Sequence, residues 1–223
     1  MEYSALLAQR RSTRRFDTDR DVPDDVLARV LAAPLAMPHA GNTYDWRGVV
    51  LRRRDRDPAT WPAVYSALME QGYVEEAAVV VVFAVQPAWW EARYRANVAE
   101  LVERGLIDPA RHQGLLAMIE AGPGDDMPLH TLLVGEAMMG VGAAMLAALD
   151  AGLGATVTAC RPAELAAALG LPDGAVICPA GVLAIGWPAD GGGAAPSPGA
   201  PKPKLDGMYH GGSWGAPLPA LGP

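Results

Sequence analysis

The chain has 223 residues, 51% of them hydrophobic and 19% charged, with a formal net charge of −7 at pH 7. That length supports one or two domains with a full core. The acidic balance argues against nucleic acid as a partner, and two cysteines, Cys160 and Cys178, exclude a disulfide framework. The opening Met1-Glu2-Tyr3-Ser4 runs into polar Gln9-Arg10-Arg11 and lacks the features of a signal peptide, so a soluble, cytoplasmic protein is expected. Charge is unevenly spread: residues 1–54 carry ten Arg against seven acids, and residues 55–223 carry eight bases against eighteen acids. A basic beginning on an acidic protein points to a local anion site rather than to a face for a polymer.

Residues 3–9 read as a short helix, with Tyr3, Leu6 and Leu7 at helical spacing. The run Arg10-Arg11-Ser12-Thr13-Arg14-Arg15-Phe16 follows. Pro23 opens a second helix with Asp24 and Asp25 in its first turn, where acids complement the dipole. Val26, Leu27, Val30 and Leu31 form its apolar stripe, and Pro34 and Pro38 end it. Residues 46–52 read as a strand, 59–71 as a helix and 77–85 as a buried, β-branched strand. Residues 88–121 read as two helices broken near Gly105 and Asp108-Pro109; a lid over a pocket and an ordinary helical hairpin both fit them. Trp89, Trp90 and Tyr94 in this stretch suit either the lining of a slot or plain helix packing.

Leu129 to Leu149 is apolar over about 21 residues, the length of a bilayer span. His130 and Glu136 inside it, with small Gly135, Gly140, Gly142 and Ala143, favour a central helix buried on all sides in a core or subunit interface, with no membrane. Pro162 starts a short helix that Gly170 ends, and residues 181–186 read as a strand. Residues 1–190 are expected to form the core domain, 191–201 a Gly/Ala/Pro-rich linker and 202–223 a C-terminal arm. This alternation is an α+β order. No dinucleotide-binding glycine fingerprint follows a strand, and no P-loop is present. His39, His112, His130 and His210 are scattered, so no metal site is expected.

The residues that carry chemistry begin with four arginines, at 10, 11, 14 and 15, around Ser12. On a helix, positions 10 and 14 would share a face, and like charges there repel by roughly 0.2–0.5 kcal/mol per pair. A bound dianion would relieve them, since Arg offers forked donors and Ser a hydroxyl. A solvated basic turn is the alternative. Lys202 and Lys204, the only lysines, either add to such a site or keep the tail soluble.

These residues resemble a family. Arg10-Arg11-Ser12-Thr13-Arg14-Arg15-Phe16 resembles the R-R-S-x-R-x-F opening of the nitroreductase-like FMN flavoproteins. Val22 to Leu27 fits the family's next helix, and Met37 to Arg47 resembles its A-P-S-x-G-N-x-Q-P-W-x block. Gly152-Leu153-Gly154, Leu169-Gly170-Leu171-Pro172, Ala184 to Pro188 and the K-x-K-L tail follow in the family's order. The resemblance implies a nitroreductase-like fold: a mixed central sheet flanked by helices, in an intertwined homodimer with FMN sites at the interface and the C-terminal arm packed on the partner. It implies phosphate and ribityl contacts from Arg10, Arg11, Ser12 and Arg14, phosphate contacts from Lys202 and Lys204, and a flavin-side loop at Pro38, His39, Ala40 and Asn42 given by the partner subunit. Ala159 and Cys160 match the backbone segment that approaches the ring. No acid–base residue is implied as catalytic; hydride would pass from NADH or NADPH to flavin N5 and then to a small planar acceptor in ping-pong fashion.

Departures from the pattern gather on the ring side. His39 stands where a Ser is usual, and Tyr44-Asp45 where Gln-Pro is usual. The frequent Asp near the start of the long helix is matched by His130. The polar side chain that precedes the second strand is not identifiable, although Glu70 and Tyr73 are near. His39 reads as a substrate donor or as a packed loop histidine, and Cys160 as a flavin-side thiol or a small buried hydrophobe. Three activities remain open: reduction of a nitroaromatic, quinone or pathway-specific substrate, a dehydrogenation or flavin fragmentation that uses oxygen, and non-catalytic sequestration of flavin or another ligand.

Overall fold

In the computed structural model, which describes residues 2–121, 129–189, 208–210, 213, 216 and 217, four strands make one sheet. They are β1 (Trp46–Arg52), β2 (Val79–Val85), β3 (Gly154–Thr158) and β4 (Val176–Gly186), in the order β1-β2-β4-β3. Every neighbouring pair is antiparallel, with Trp46 opposite Val85, Val79 opposite Ile185 and Ala155 opposite Ile185. The mixed sheet expected from the sequence is met at one place among the described residues, an isolated parallel bridge from Ser12 to Ala155. The arginine-rich segment touches the edge of β3 at one residue rather than forming a fifth strand.

β2 is buried at all seven positions, and its side chains alternate between two cores. Val79, Val81, Phe83 and Val85 face α2 (Asp24–Ala32) and α7 (Leu129–Asp150). Val80, Val82 and Ala84 face α3 (Trp61–Ala67), α4 (Gly72–Glu76) and α8 (Pro162–Ala168). The sheet is therefore the middle of three layers, as an α+β fold requires. α1 (Tyr3–Gln9) packs near α7; α5 (Trp90–Glu103) and α6 (Pro109–Ala121) are the two helices the sequence predicts, and they pack on each other.

Three elements differ from the expectation. The predicted helix over 59–71 stops at Ala67, because Met69 (φ 61°) and Glu70 (φ 52°) take the left-handed conformation, and α4 starts afresh at Gly72. β4 begins five residues before the predicted strand. Its register against β2 shifts between Val82 and Ala84, and the extra residues of β4 place Pro179 at an exposed bulge where its missing N–H breaks no ladder bond. α7 is buried along one stripe, Leu133, Glu136, Ala137, Gly140, Val141, Ala144 and Ala148, rather than on all sides. Its mean hydropathy of 1.9 makes it long and apolar enough for a membrane, but that stripe is part of the core on the sheet.

The chain divides into two units, Met1–Gly192 and Gly193–Pro223. In the second, His210 bridges Pro217 in antiparallel fashion and the Ala216 N–H donates to Ser213 O at 3.1 Å.

Phe83 is fully buried, and its ring is tilted 47° to that of Trp46 with centroids 5.4 Å apart. Phe83→Ala is expected to lower stability by about 3–5 kcal/mol, read from the guanidinium midpoint. A loss under about 1 kcal/mol would mean that this side of the core collapses freely.

Candidate functional site

α1 ends at Gln9, and Arg10 leaves it in extended geometry (φ −56°, ψ 123°). Residues 10–16 are not helical, which corrects the helical face sharing read from the sequence. Running beside a strand, alternate residues share a face, so Arg10, Ser12 and Arg14 fall together and Arg11, Thr13 and Arg15 fall on the other side. The second set is engaged. Arg11 Nη1 donates to Ala8 O and Arg10 O, both at 2.8 Å, and closes the end of α1. Arg15 pairs with Glu76 at 3.1 Å. The first set is open: the side chains of Arg10, Ser12 and Arg14 have no hydrogen-bond or ion-pair partner among the described residues. Ser12 and Arg14 are exposed.

The segment is tied down by its backbone. Thr13 N–H donates to Ala155 O (3.1 Å), Phe16 N–H to the Glu76 carboxylate (2.8 Å) and Asp17 N–H to Trp187 O (2.8 Å). Gly154 makes the close approach possible, since a Cβ there would lie 2.5 Å from Thr13 Oγ1 and 2.8 Å from Thr13 Cβ.

A polar cluster lies at the other end of β3. The Tyr73 hydroxyl donates to the Gln71 side-chain oxygen and lies 2.8 Å from Thr158 Oγ1, which accepts from the Gln71 amide; Gln71 also donates to Ala159 O at 3.3 Å. Of the polar residues before β2, Gln71 and Tyr73 reach the end of β3. The left-handed turn at Met69-Glu70 aims Gln71 back at β3, and no Gly or Asn marks that turn in the sequence. Ala159 is exposed and Cys160 half-buried; burial pushes the Cys160 thiol up and the Cys178 thiol up to about 12, so neither is poised as a thiolate. Thr158 is three residues from Ala155, so the open arginines and this cluster lie roughly 10 Å apart along one edge.

The loop before β1 is held from several sides. His39 has both ring nitrogens occupied: Nδ1–H donates to Met37 O (2.9 Å) and Nε2 accepts from Trp46 Nε1–H (3.0 Å). This tautomer makes His39 a packed loop residue and leaves no proton to give. Ala40 N–H donates to the buried Glu136 carboxylate at 2.8 Å. An acid of the long helix, Glu136, thus reaches this loop. Asn97 of α5 donates to Gly41 O (3.0 Å) and Asn42 O (2.7 Å), and Tyr94 covers Gly41 so closely that a Cβ there would lie 2.5 Å from the ring. Gly41, Asn42 and Tyr44 all have positive φ. Pro38 and Asn42 are exposed.

The chain does not bring its two halves together. Ser12 sits level with the Val79–Arg52 end of the sheet, beyond β3, while Trp46 sits at the Val85 end of β1. Four ladder spacings and six residues of rise separate them, roughly 20 Å in each direction. Lys202 and Lys204 lie outside the described residues. Among those residues no cluster of His, Cys, Asp and Glu could hold a metal.

Comparison with known proteins gives a consistent set. The model of the Nitroreductase family matches residues 7–187. A Thermus thermophilus protein named NADH dehydrogenase is 33% identical over 194 residues, covering 86% of this chain and 89% of that one. A protein of Exiguobacterium sibiricum, assigned as a nitroreductase and solved in complex with FMN, superposes with a TM-score of 0.70 at 18% identity, covering 92% of this chain and 93% of that one. A Staphylococcus epidermidis protein assigned as an NAD(P)H:FMN oxidoreductase superposes with a TM-score of 0.70 at 16% identity, covering 85% and 88%.

Removing the Glu136 carboxylate leaves the Ala40 N–H without its acceptor. Glu136→Ala is expected to lower stability by about 1–3 kcal/mol, and Glu136→Gln, which keeps an acceptor, by less than about 1 kcal/mol. Urea midpoints of the two variants check this; equal losses would contradict the role of the bond.

Proposed function

The chain belongs to the nitroreductase family, and from that premise we propose that it is an FMN-dependent oxidoreductase that draws electrons from NADH or NADPH and reduces a small planar acceptor. The observation that carries this reading is the pair of open guanidiniums, Arg10 and Arg14, flanking the Ser12 hydroxyl on a backbone fixed to β3. Their donors suit a phosphate monoester: Arg gives forked, charge-assisted bonds and Ser a neutral one. The FMN in the Exiguobacterium structure supports the same reading.

When bound, FMN would supply the two-electron redox chemistry between a nicotinamide donor and the acceptor. The chain's own residues bind and orient. Arg10, Ser12 and Arg14 hold the phosphate end, and the edge of β3 sets the direction of the ligand. Gln71, Tyr73 and the main chain of Ala159 and Cys160 lie where the ring end would fall. Tyr73 and Gln71 fix Thr158, and with it the backbone that turns past the ring.

The loop at Pro38, His39, Ala40 and Asn42 is too far from Ser12 in the same chain to close this site, so a second copy supplies it. The open side of α7 supports such a dimer: Met139 is 42% exposed, and a Cβ at Gly135 or Gly142 would meet no atom within 4 Å. A helix this apolar needs a partner on that face.

Arg10→Ala with Arg14→Ala is expected to weaken FMN binding about a hundredfold or more, since each charge-assisted bond contributes about 1.5–3 kcal/mol. Gly154→Ala keeps both charges but displaces Thr13, and should weaken FMN binding by about tenfold. Fluorescence titration of FMN checks both, and unchanged affinity in the double variant removes the phosphate assignment. Anaerobic mixing with NADH and with NADPH checks the activity: the flavin absorbance should bleach with at least one. Flavin that stays oxidised with both would make this a flavin-holding protein rather than an enzyme.

A further inference from the structure

A second pair of arginines lies at the other corner of the sheet, outside the phosphate segment. Arg47, in β1, and Arg93, on α5, both direct Nη1 at one carbonyl, Tyr44 O, at 3.0 Å and 3.4 Å. Arg47 Nη1 also donates to Trp46 O, and Arg93 Nη1 to Thr43 O at 3.4 Å. The two guanidiniums are thereby drawn beside each other. Each also lies against the Trp89 ring, at 5.3 Å and 5.4 Å from its centroid. Trp89 is 39% exposed, and Nη2 of each arginine has no hydrogen-bond partner among the described residues.

One acid faces this pair. The Asp45 side chain is fully buried, and its carboxylate stands 3.5 Å from Arg93 Nε with no hydrogen bond to either oxygen. Glu91, next along α5, is paired with Arg95 at 3.0 Å and does not reach across. Two cations and one buried anion leave a surplus positive charge beside a partly exposed indole. Burial, and then the charge of Arg93, hold the Arg47 guanidinium below its usual pKa. Asp45 offsets the crowding only in part, and an anion between the two guanidiniums would complete the offset.

We propose that Arg47, Arg93 and Trp89 form a binding site for a phosphate monoester attached to a planar base, and that its occupant is the adenosine 2′-phosphate end of NADPH. This rests on the reading that a nicotinamide supplies the electrons. Paired guanidiniums match a phosphate in a forked geometry, and an exposed indole is a platform on which a purine stacks. NADH and NADPH differ by that one phosphate, so this site is where the chain would tell them apart. Inorganic phosphate and 5′-nucleotides share part of the chemistry, and the test separates them.

The test is calorimetric titration of the flavin-loaded protein with adenosine 2′,5′-bisphosphate, 5′-AMP and inorganic phosphate, alongside flavin reduction by NADPH and NADH. The bisphosphate is expected to bind about tenfold or more tightly than 5′-AMP. Arg47→Gln, at an exposed side chain, should erase that difference, and Trp89→Leu should weaken both nucleotides. Equal affinity for the two nucleotides, a preference that survives in Arg47→Gln, or inorganic phosphate that binds as tightly as the bisphosphate would each overturn the proposal. Arg47-dependent binding of the bisphosphate with no flavin reduction by either nicotinamide would uphold the site and sink the electron-donor reading. Equal nucleotide affinities with rapid reduction by both would do the reverse.

Discussion

Four arginines within six residues repel one another, and the fold keeps them together by fixing their backbone. Three main-chain bonds, to Ala155 O, the Glu76 carboxylate and Trp187 O, hold Thr13, Phe16 and Asp17 against the sheet. Glu76 also neutralises Arg15, and Phe16 is buried among side chains of the α3–α8 core. The strap sorts the charges: one set is neutralised or turned back on α1, and Arg10 and Arg14 are left facing outward with Ser12. The proposed anion site would have its backbone in place before a ligand arrives, leaving only the arginine side chains to be ordered on binding.

The same edge of β3 sets the direction of the site. Ser12 meets its first half at Ala155, and Gln71 and Tyr73 meet its last residue, Thr158. An elongated ligand with an anion at one end and a polar ring at the other fits that track. The loop carrying His39 belongs to the diagonally opposite corner, where Trp46, Glu136 and Asn97 hold it rigid. A site that needs both corners needs two copies of the chain, and the apolar side of α7 that the core leaves uncovered fits that need.

Much of this was legible in the sequence because it rests on local patterns. The helix at 3–9, the strand at 46–52 and the break between α5 and α6 follow from apolar spacing and from Pro and Gly positions. What could not be read depends on tertiary contacts. Charge spacing in 10–15 suits a helix as well as a strand, and only the bridge to Ala155 decides it. Pro179 hides the first half of β4, because a proline reads as a strand end unless a bulge accommodates it. That Gln71 reaches β3 is not legible, since its aim comes from two left-handed residues, Met69 and Glu70, that carry no turn signature. Glu136 lies in an apolar helix, and nothing in its neighbours shows that it faces Ala40.

The central claim is that the strapped arginine segment holds the phosphate of FMN. The most direct measurement is the visible spectrum of the protein purified without added flavin, with the chromophore identified after heat release. A phosphate site there should give a yellow protein that releases FMN. A colourless protein that stays colourless after FMN is added and excess removed would contradict it, and would leave Arg10 and Arg14 to some other anion.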